Sequence, residues 1–257
     1  MTQVTRRPPL QPESGIYKFI VRIGRPLLYS ICRYEWSGGE NLPAEGGFIA
    51  AANHVSDFDA VTTAHFLIDN GYEPRILAKR TLFTTPVIGA ILRGTNMIPV
   101  DRGTSDAGRS LDAAAEALAS GSCVAIFPEG TLTRDPDLWP MEGKTGVARL
   151  ALAAKVPVIP IGQWGQTAVL DRYGKILKPW PKKRIQIRVG QPVDLSDLYD
   201  REIDGATLRE ATNRVMDAIG DIVGELRGEQ PPSPRFDLRK HPENKKKQRV
   251  YKKVERP

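Results

Sequence analysis

Short runs of β-branched and other apolar residues alternate along this chain with longer stretches in which apolar positions recur every three or four residues. The first pattern marks buried strands, and the second gives a helix one apolar face. Strands are predicted at 34–36, 48–52, 75–78, 97–100, 123–127, 158–161 and 185–189. Helices are predicted at 16–32, 57–68, 86–92, 107–119, 145–154 and 206–226. Their alternation predicts an α/β domain on a central sheet. No internal repeat is visible.

Segment 16–32 has an unusual polarity. Lys18, Arg22 and Arg25 fall along one helical face, while Tyr17, Phe19, Ile20, Ile23, Leu27, Leu28 and Ile31 fill much of the rest. A basic stripe beside a wide apolar face suits a helix lying in a membrane interface. The alternative is a helix docked on the protein's own core with its charges in water. The three cations interrupt any membrane span, which needs about 20 predominantly apolar residues. Segment 82–92, with Phe83, Val87, Ile88 and Ile91, reads as a tunnel wall, a membrane-dipping element or core. Residues 1–13 are polar and proline-bearing and predict no cleavable signal peptide. From Gln230 onward, Pro231, Pro232 and Pro234 precede a lysine-rich stretch with few apolar residues, which predicts disorder. The expected organisation is a disordered 1–13, an amphipathic helix at 14–34, a folded domain at 35–228 and a disordered basic tail at 229–257.

Composition sharpens this picture in two ways. A chain of 257 residues with 40% hydrophobic content supports one large domain. Its net charge of +7 is unevenly spread: residues 229–257 hold ten Lys/Arg against four Asp/Glu, residues 1–35 hold six against two, and the body between is mildly acidic. The lysine cluster raises nucleic-acid binding as a non-enzymatic alternative. Its confinement to a proline-rich tail and the acidic body argue against that, and cationic tails also bind anionic lipid. Cys32 and Cys123 show neither disulfide nor zinc spacing and fit a reducing, cytoplasmic setting.

The first candidate chemistry is Asn53-His54-Val55-Ser56-Asp57-Phe58-Asp59. His54 follows the apolar run, Ser56 is placed as a helix N-cap, and Asp59 falls in the first helical turn. From the turn before the cap, the imidazole can fold back towards the carboxylate. Such a pair suits general-base chemistry, because the carboxylate fixes the tautomer and stabilises the imidazolium. Asp59 also has a purely structural reading as an acidic residue near a helix N-terminus. A hydrolase reading would need a serine nucleophile, but no G-x-S-x-G elbow is present and capping explains Ser56.

Three further segments follow in order. Lys79-Arg80-Thr81-Leu82 leads through Pro86, Gly89 and Gly94 to Val100-Asp101-Arg102; Phe127-Pro128-Glu129-Gly130-Thr131 follows a strand; Val156-Pro157-Val158-Ile159-Pro160-Ile161 closes the series. With N-H-x-S-x-x-D, their order and spacing resemble the four blocks of the glycerolipid acyltransferase family, in particular the 1-acylglycerol-3-phosphate acyltransferases. The resemblance covers roughly residues 35–191.

The resemblance implies a glycerol-3-phosphate acyltransferase-like fold: α/β, with a central mixed sheet of about seven strands flanked by helices and an N-terminal amphipathic membrane-contacting helix. It implies His54 as general base and Asp59 as its partner, with transfer of an acyl group from a thioester to the hydroxyl of 1-acylglycerol 3-phosphate and no acyl-enzyme. The implied product is phosphatidic acid for phospholipid synthesis. Arg102 is implied to hold the acceptor phosphate, Glu129 and Gly130 to shape the acceptor site with Thr131, and Pro160 to shape the pocket. Lys79 is a second phosphate candidate. Physically, an arginine fork matches phosphate oxygens, and a glycine turn exposes N–H groups to an anion. The family's third block usually runs from Gly-Thr directly into Arg, whereas here Leu132 and Thr133 intervene before Arg134. If Arg134 does not reach the same place, phosphate binding falls to Arg102, Lys79 and Lys144, and another acceptor enters: glycerol 3-phosphate, another lysophospholipid or a glycolipid. No cofactor or metal is expected beyond acyl-CoA or an acyl carrier protein as co-substrate. The expected partner surface is anionic lipid at the cytoplasmic face of the cell membrane, with peripheral attachment and no nucleic acid.

Overall fold

The computed structural model describes residues 15–100 and 107–241. Seven strands form one sheet: β1 (Cys32–Ser37), β2 (Phe48–Ala52), β3 (Arg75–Lys79), β4 (Ile98–Val100), β5 (Cys123–Ile126), β6 (Val158–Trp164) and β7 (Lys183–Val189). Their order is β1-β7-β6-β2-β5-β3-β4. Every neighbouring pair is parallel except β6 with β7, so the sheet is mixed, as expected. The helices are α1 (Gly15–Ile31), α2 (Asp59–Asp69), α3 (Pro86–Gly94), α4 (Ala107–Ala119), α5 (Gly146–Ala154) and α6 (Gly205–Arg227).

Period-two alternation in the central strands sorts side chains to two cores. Ile49 and Ala51 of β2, with Val124 and Ile126 of β5, pack towards α4, α5 and α6 through Leu118, Leu150, Val215 and Ile219. Phe48, Ala50 and Ala52, with Ile159, Ile161, Ile185 and Ile187, face Phe66 and Leu67 of α2. Covering both faces explains why the parallel strands read as continuous apolar runs. Helix α6 starts where the Asp204 side chain accepts from the N–H groups of Ala206 and Thr207 and stops at Gly228, whose φ of 68° fits a left-handed cap.

The antiparallel step determines what shares an edge of the sheet. Because β7 runs against β6, its start at Lys183 lies at the edge where β2, β3 and β5 end, and β1 starts there too, paired Cys32 with Lys183. The turn after β2, the segment between β6 and β7, and the end of α1 therefore converge on one edge.

Three expectations change. The α2 helix begins at Asp59 rather than at 57. Segment 82–92 is not core, since Leu82, Val87, Ile88 and Ile91 are exposed. Residues 229–241, expected within a disordered tail, fold back on the domain: the Phe236 carbonyl accepts from the Glu142 N–H, and Arg235 pairs with Asp217. Composition counted their few apolar residues but not these polar partners. The rest of the expected tail and residues 1–13 lie outside the described residues. Helix α1 divides its apolar surface. Tyr17 is buried and Leu28 and Ile31 pack on the core, while Phe19, Ile23 and Leu27 remain exposed.

Candidate active site

The site is assembled where β2 ends. Asn53 is fully buried and pinned to Gln163 at the end of β6: its Nδ2 donates to the Gln163 carbonyl at 3.0 Å, and the Gln163 N–H donates to Asn53 Oδ1 at 2.8 Å. Gln163 Nε2 closes the lock on the Asn53 carbonyl at 3.0 Å. Gln163 Oε1 then accepts from the hydroxyls of Thr62 at 3.1 Å and Thr63 at 3.2 Å, tying α2 to the same point. Satisfied polar networks of this kind in a low-dielectric interior hold one geometry.

His54 follows this lock. Its ring stacks on Phe127, centroids 4.2 Å apart, and its Nδ1 lies 3.0 Å from Asp59 Oδ2. The same oxygen accepts from the backbone N–H groups of Val55 at 2.5 Å and Ser56 at 2.8 Å. An acceptor oriented in this way assigns the proton to Nδ1 and leaves Nε2 as the basic nitrogen. The His54 side chain is 12% exposed and Asp59 is fully buried. Burial pushes the Asp59 carboxyl up, opposed by His54 and by the backbone donors. Ser56 caps the turn rather than the helix: its Oγ accepts from the Phe58 N–H and donates to the Leu170 carbonyl.

Glu129 holds the turn from below. One carboxylate oxygen accepts from the His54 N–H at 2.8 Å and the other from the Met141 N–H at 3.1 Å. At 1% exposure it touches backbone and shapes the site through His54. Burial raises its pKa to about 8. Gly130 needs its left-handed φ of 68°, and a Cβ there would meet the Lys144 side chain at 2.9 Å. Its own N–H donates to the Phe127 carbonyl at 2.9 Å, so it is not an exposed anion donor as the glycine turn suggested. Thr131 is half-buried beside it, and Lys79 is exposed at the end of β3 on the same edge. Pro160 is not brought to the site: it sits opposite Ala51, inside β6 and short of its end at Trp164, against Gly190. Arg102 lies outside the described residues.

Arg134 follows a residue that is tied to the histidine turn. The Thr133 N–H donates to the His54 carbonyl at 2.7 Å, so the next residue emerges beside the histidine turn. Its guanidinium donates to the Tyr173 hydroxyl at 2.6 Å and lies 5.0 Å from the Tyr173 ring centroid. Arg172 braces both loops by donating to the carbonyls of Thr133 at 3.2 Å and Asp135 at 2.6 Å. Sequence reasoning missed Tyr173, Arg172 and Gln163. The first two sit in a loop with no pattern, whereas Gln163 offered a signal as a polar residue at the end of an apolar strand.

A doubly covered mixed sheet that carries a carboxylate-held histidine at the ends of its parallel strands defines an α/β protein with its candidate site at the strand ends. Residues 33–164 match the family model described as Acyltransferase. The chain is 30% identical over 214 residues to the 1-acyl-sn-glycerol-3-phosphate acyltransferase of Bacillus subtilis (strain 168), covering 82% of this chain and 100% of that protein. It is also 30% identical over 178 residues to the alpha 1-acyl-sn-glycerol-3-phosphate acyltransferase of Ovis aries, covering 68% of this chain and 59% of that one. The crystal structure of the 1-acyl-sn-glycerophosphate (LPA) acyltransferase PlsC from Thermotoga maritima superposes with a TM-score of 0.60 at 23% identity, covering 86% of this chain and 80% of that chain. The chain belongs to the acyltransferase family, and the protein is an acyltransferase.

Proposed function

We propose that the protein transfers a fatty acyl group from an acyl thioester to the free hydroxyl of 1-acylglycerol 3-phosphate, giving phosphatidic acid. The observation that carries the chemistry is His54 Nδ1 held 3.0 Å from Asp59 Oδ2, with Nε2 left as base. Nε2 takes the hydroxyl proton as that oxygen forms its bond to the thioester carbonyl carbon. Collapse of the tetrahedral intermediate breaks the C–S bond, and the departing thiolate takes the proton from the imidazolium. No acyl-enzyme forms. The acceptor phosphate is assigned to Arg134, oriented by Tyr173, with Lys79 and Arg102 as further cations; the names of the relatives in Bacillus subtilis and Ovis aries support this acceptor.

The donor is acyl-CoA or an acyl carrier protein, both of which present the thioester on a phosphopantetheine arm. We place the enzyme peripherally on anionic lipid at the cytoplasmic membrane face. Among the described residues no helix is long and apolar enough to cross a membrane, and α1 keeps Phe19, Ile23 and Leu27 exposed. A donor-by-acceptor activity matrix with wild type and His54→Ala tests the proposal. The expected result is His54-dependent transfer with preference for 1-acylglycerol 3-phosphate. Preference for glycerol 3-phosphate, another lysophospholipid or a glycolipid would overturn the acceptor, and activity in His54→Ala would overturn the base.

A further inference from the structure

The segment between β6 and β7 is tightly held at its base and apolar at its tip. The Lys178 N–H donates to the Val169 carbonyl at 2.8 Å and its Nζ pairs with Asp171 at 2.7 Å, while Arg172 and Tyr173 engage the loop beside His54. Beyond this base Ile176 is 78% exposed, Leu177 52% and Trp180 79%. Loops on a water-facing surface present polar side chains, and a clustered apolar tip marks an interaction surface. Residues 171–183 also carry five Lys/Arg against Asp171 alone, although the body of the chain is acidic.

Two features of the fold join this tip to other apolar surface. Lys182 Nζ donates to the Tyr29 carbonyl at 2.8 Å, which fastens the loop to the end of α1. Helix α1 carries the exposed Phe19, Ile23 and Leu27 and packs against α3, where Val87, Ile88 and Ile91 are exposed. The sheet connections bring the loop and the end of α1 to the edge where β2 delivers His54.

We infer that the Ile176-Leu177-Trp180 tip inserts into an anionic bilayer as a membrane contact separate from α1, and that together they seat the His54 edge on the lipid surface. Charge selects the occupant: lysines around an apolar tip pair with anionic headgroups while indole and aliphatic groups enter the interface. Lysophospholipid then reaches His54 from the bilayer without crossing water. This inference rests on the membrane placement proposed above and adds to it the element and the orientation.

The test uses the full chain and vesicles of phosphatidylcholine with or without phosphatidylglycerol. Trp180 is the exposed tryptophan among the described residues, so its emission is expected to shift to the blue on phosphatidylglycerol vesicles and to be quenched by brominated acyl chains. Trp180→Phe should remove the signal while binding persists. The triple variant Ile176→Ser/Leu177→Ser/Trp180→Ser should bind these vesicles at least about tenfold more weakly, since burying even one large apolar side chain contributes that much. Its thermal melt and its turnover of a short-chain, monomeric acceptor should match the unaltered protein. Triple-variant binding equal to wild type, or Trp180 emission unchanged on bound vesicles, would overturn the inference. Those results would leave the membrane placement standing if Phe19→Ser/Ile23→Ser/Leu27→Ser still lost binding. Failure of the unaltered protein to bind any vesicle would overturn both.

Discussion

Two histidine–aspartate pairs stand close together along this chain, and their contrast shows what makes one of them a candidate for chemistry. His54 lies 3.0 Å from Asp59, and that carboxylate is aimed by two backbone N–H groups. His65 lies 3.8 Å from Asp69, beyond hydrogen-bond range, and neither of its ring nitrogens has a partner. Asp69 is committed elsewhere, to Arg25 at 2.9 Å and the Tyr29 hydroxyl at 2.7 Å, which dock α1 on α2. The His65 ring is enclosed edge-on by Tyr29, Tyr34 and Trp36 at 5.0, 4.9 and 5.1 Å. Burial, with Arg25 nearby, lowers its pKa to about 4 despite Asp69. His65 is a neutral core side chain at neutral pH. Proximity of an imidazole and a carboxylate is therefore insufficient; a directed hydrogen bond and an accessible second nitrogen are also needed.

Substitution at the two histidines should separate the pairs most widely. His54→Ala is expected to lower kcat by about 10²- to 10⁴-fold, the usual contribution of a general base. His65→Phe should leave turnover unchanged, because no hydrogen bond is lost. Its signature is in acid melts. A histidine depressed from 6.5 to about 4 contributes stability above the unfolded pKa that is lost as pH falls through that interval, and His65→Phe should remove this loss. The aspartates extend the contrast. Asp59→Asn should lower kcat by about 10²-fold or more through loss of tautomer control. Asp69→Asn should instead lower the melting temperature and spare kcat, by weakening the Arg25 and Tyr29 links.

Glu129 supplies a smaller effect of opposite pH sign. Its carboxyl is raised from 4.5 to about 8, so its contribution to stability is present below 4.5 and lost as pH rises through 8. Glu129→Gln should flatten that slope in thermal melts and lower stability by about 1–3 kcal/mol, since an amide NH₂ would oppose the N–H of His54 or Met141. The smallest effect is expected at Tyr173. Tyr173→Phe removes one hydrogen bond to Arg134 and should raise KM for a phosphate-bearing acceptor by about tenfold with kcat retained, as read from steady-state kinetics. An equal loss for an acceptor without phosphate would detach Arg134 from phosphate recognition.

The amino-acid sequence by itself determined the elements. All seven expected strands and six helices occur, because propensity and hydrophobic periodicity act between near neighbours. It also made the His54–Asp59 pairing legible, since the two partners lie only five positions apart in one turn. Only tertiary structure decided the rest. Asn53 meets Gln163 because β2 and β6 are neighbours, and the His54 N–H meets Glu129 because β5 lies on the other side of β2. Arg134 comes beside the histidine turn despite two intervening residues because the Thr133 N–H reaches the His54 carbonyl. Pro160 fits the block pattern but faces Gly190, since the side of the sheet a strand residue faces depends on register. The meeting of the Trp180 loop with the end of α1, through Lys182 and the Tyr29 carbonyl, has the same origin. Strand order and direction bring distant segments to one edge, and no local pattern encodes which segments will meet there.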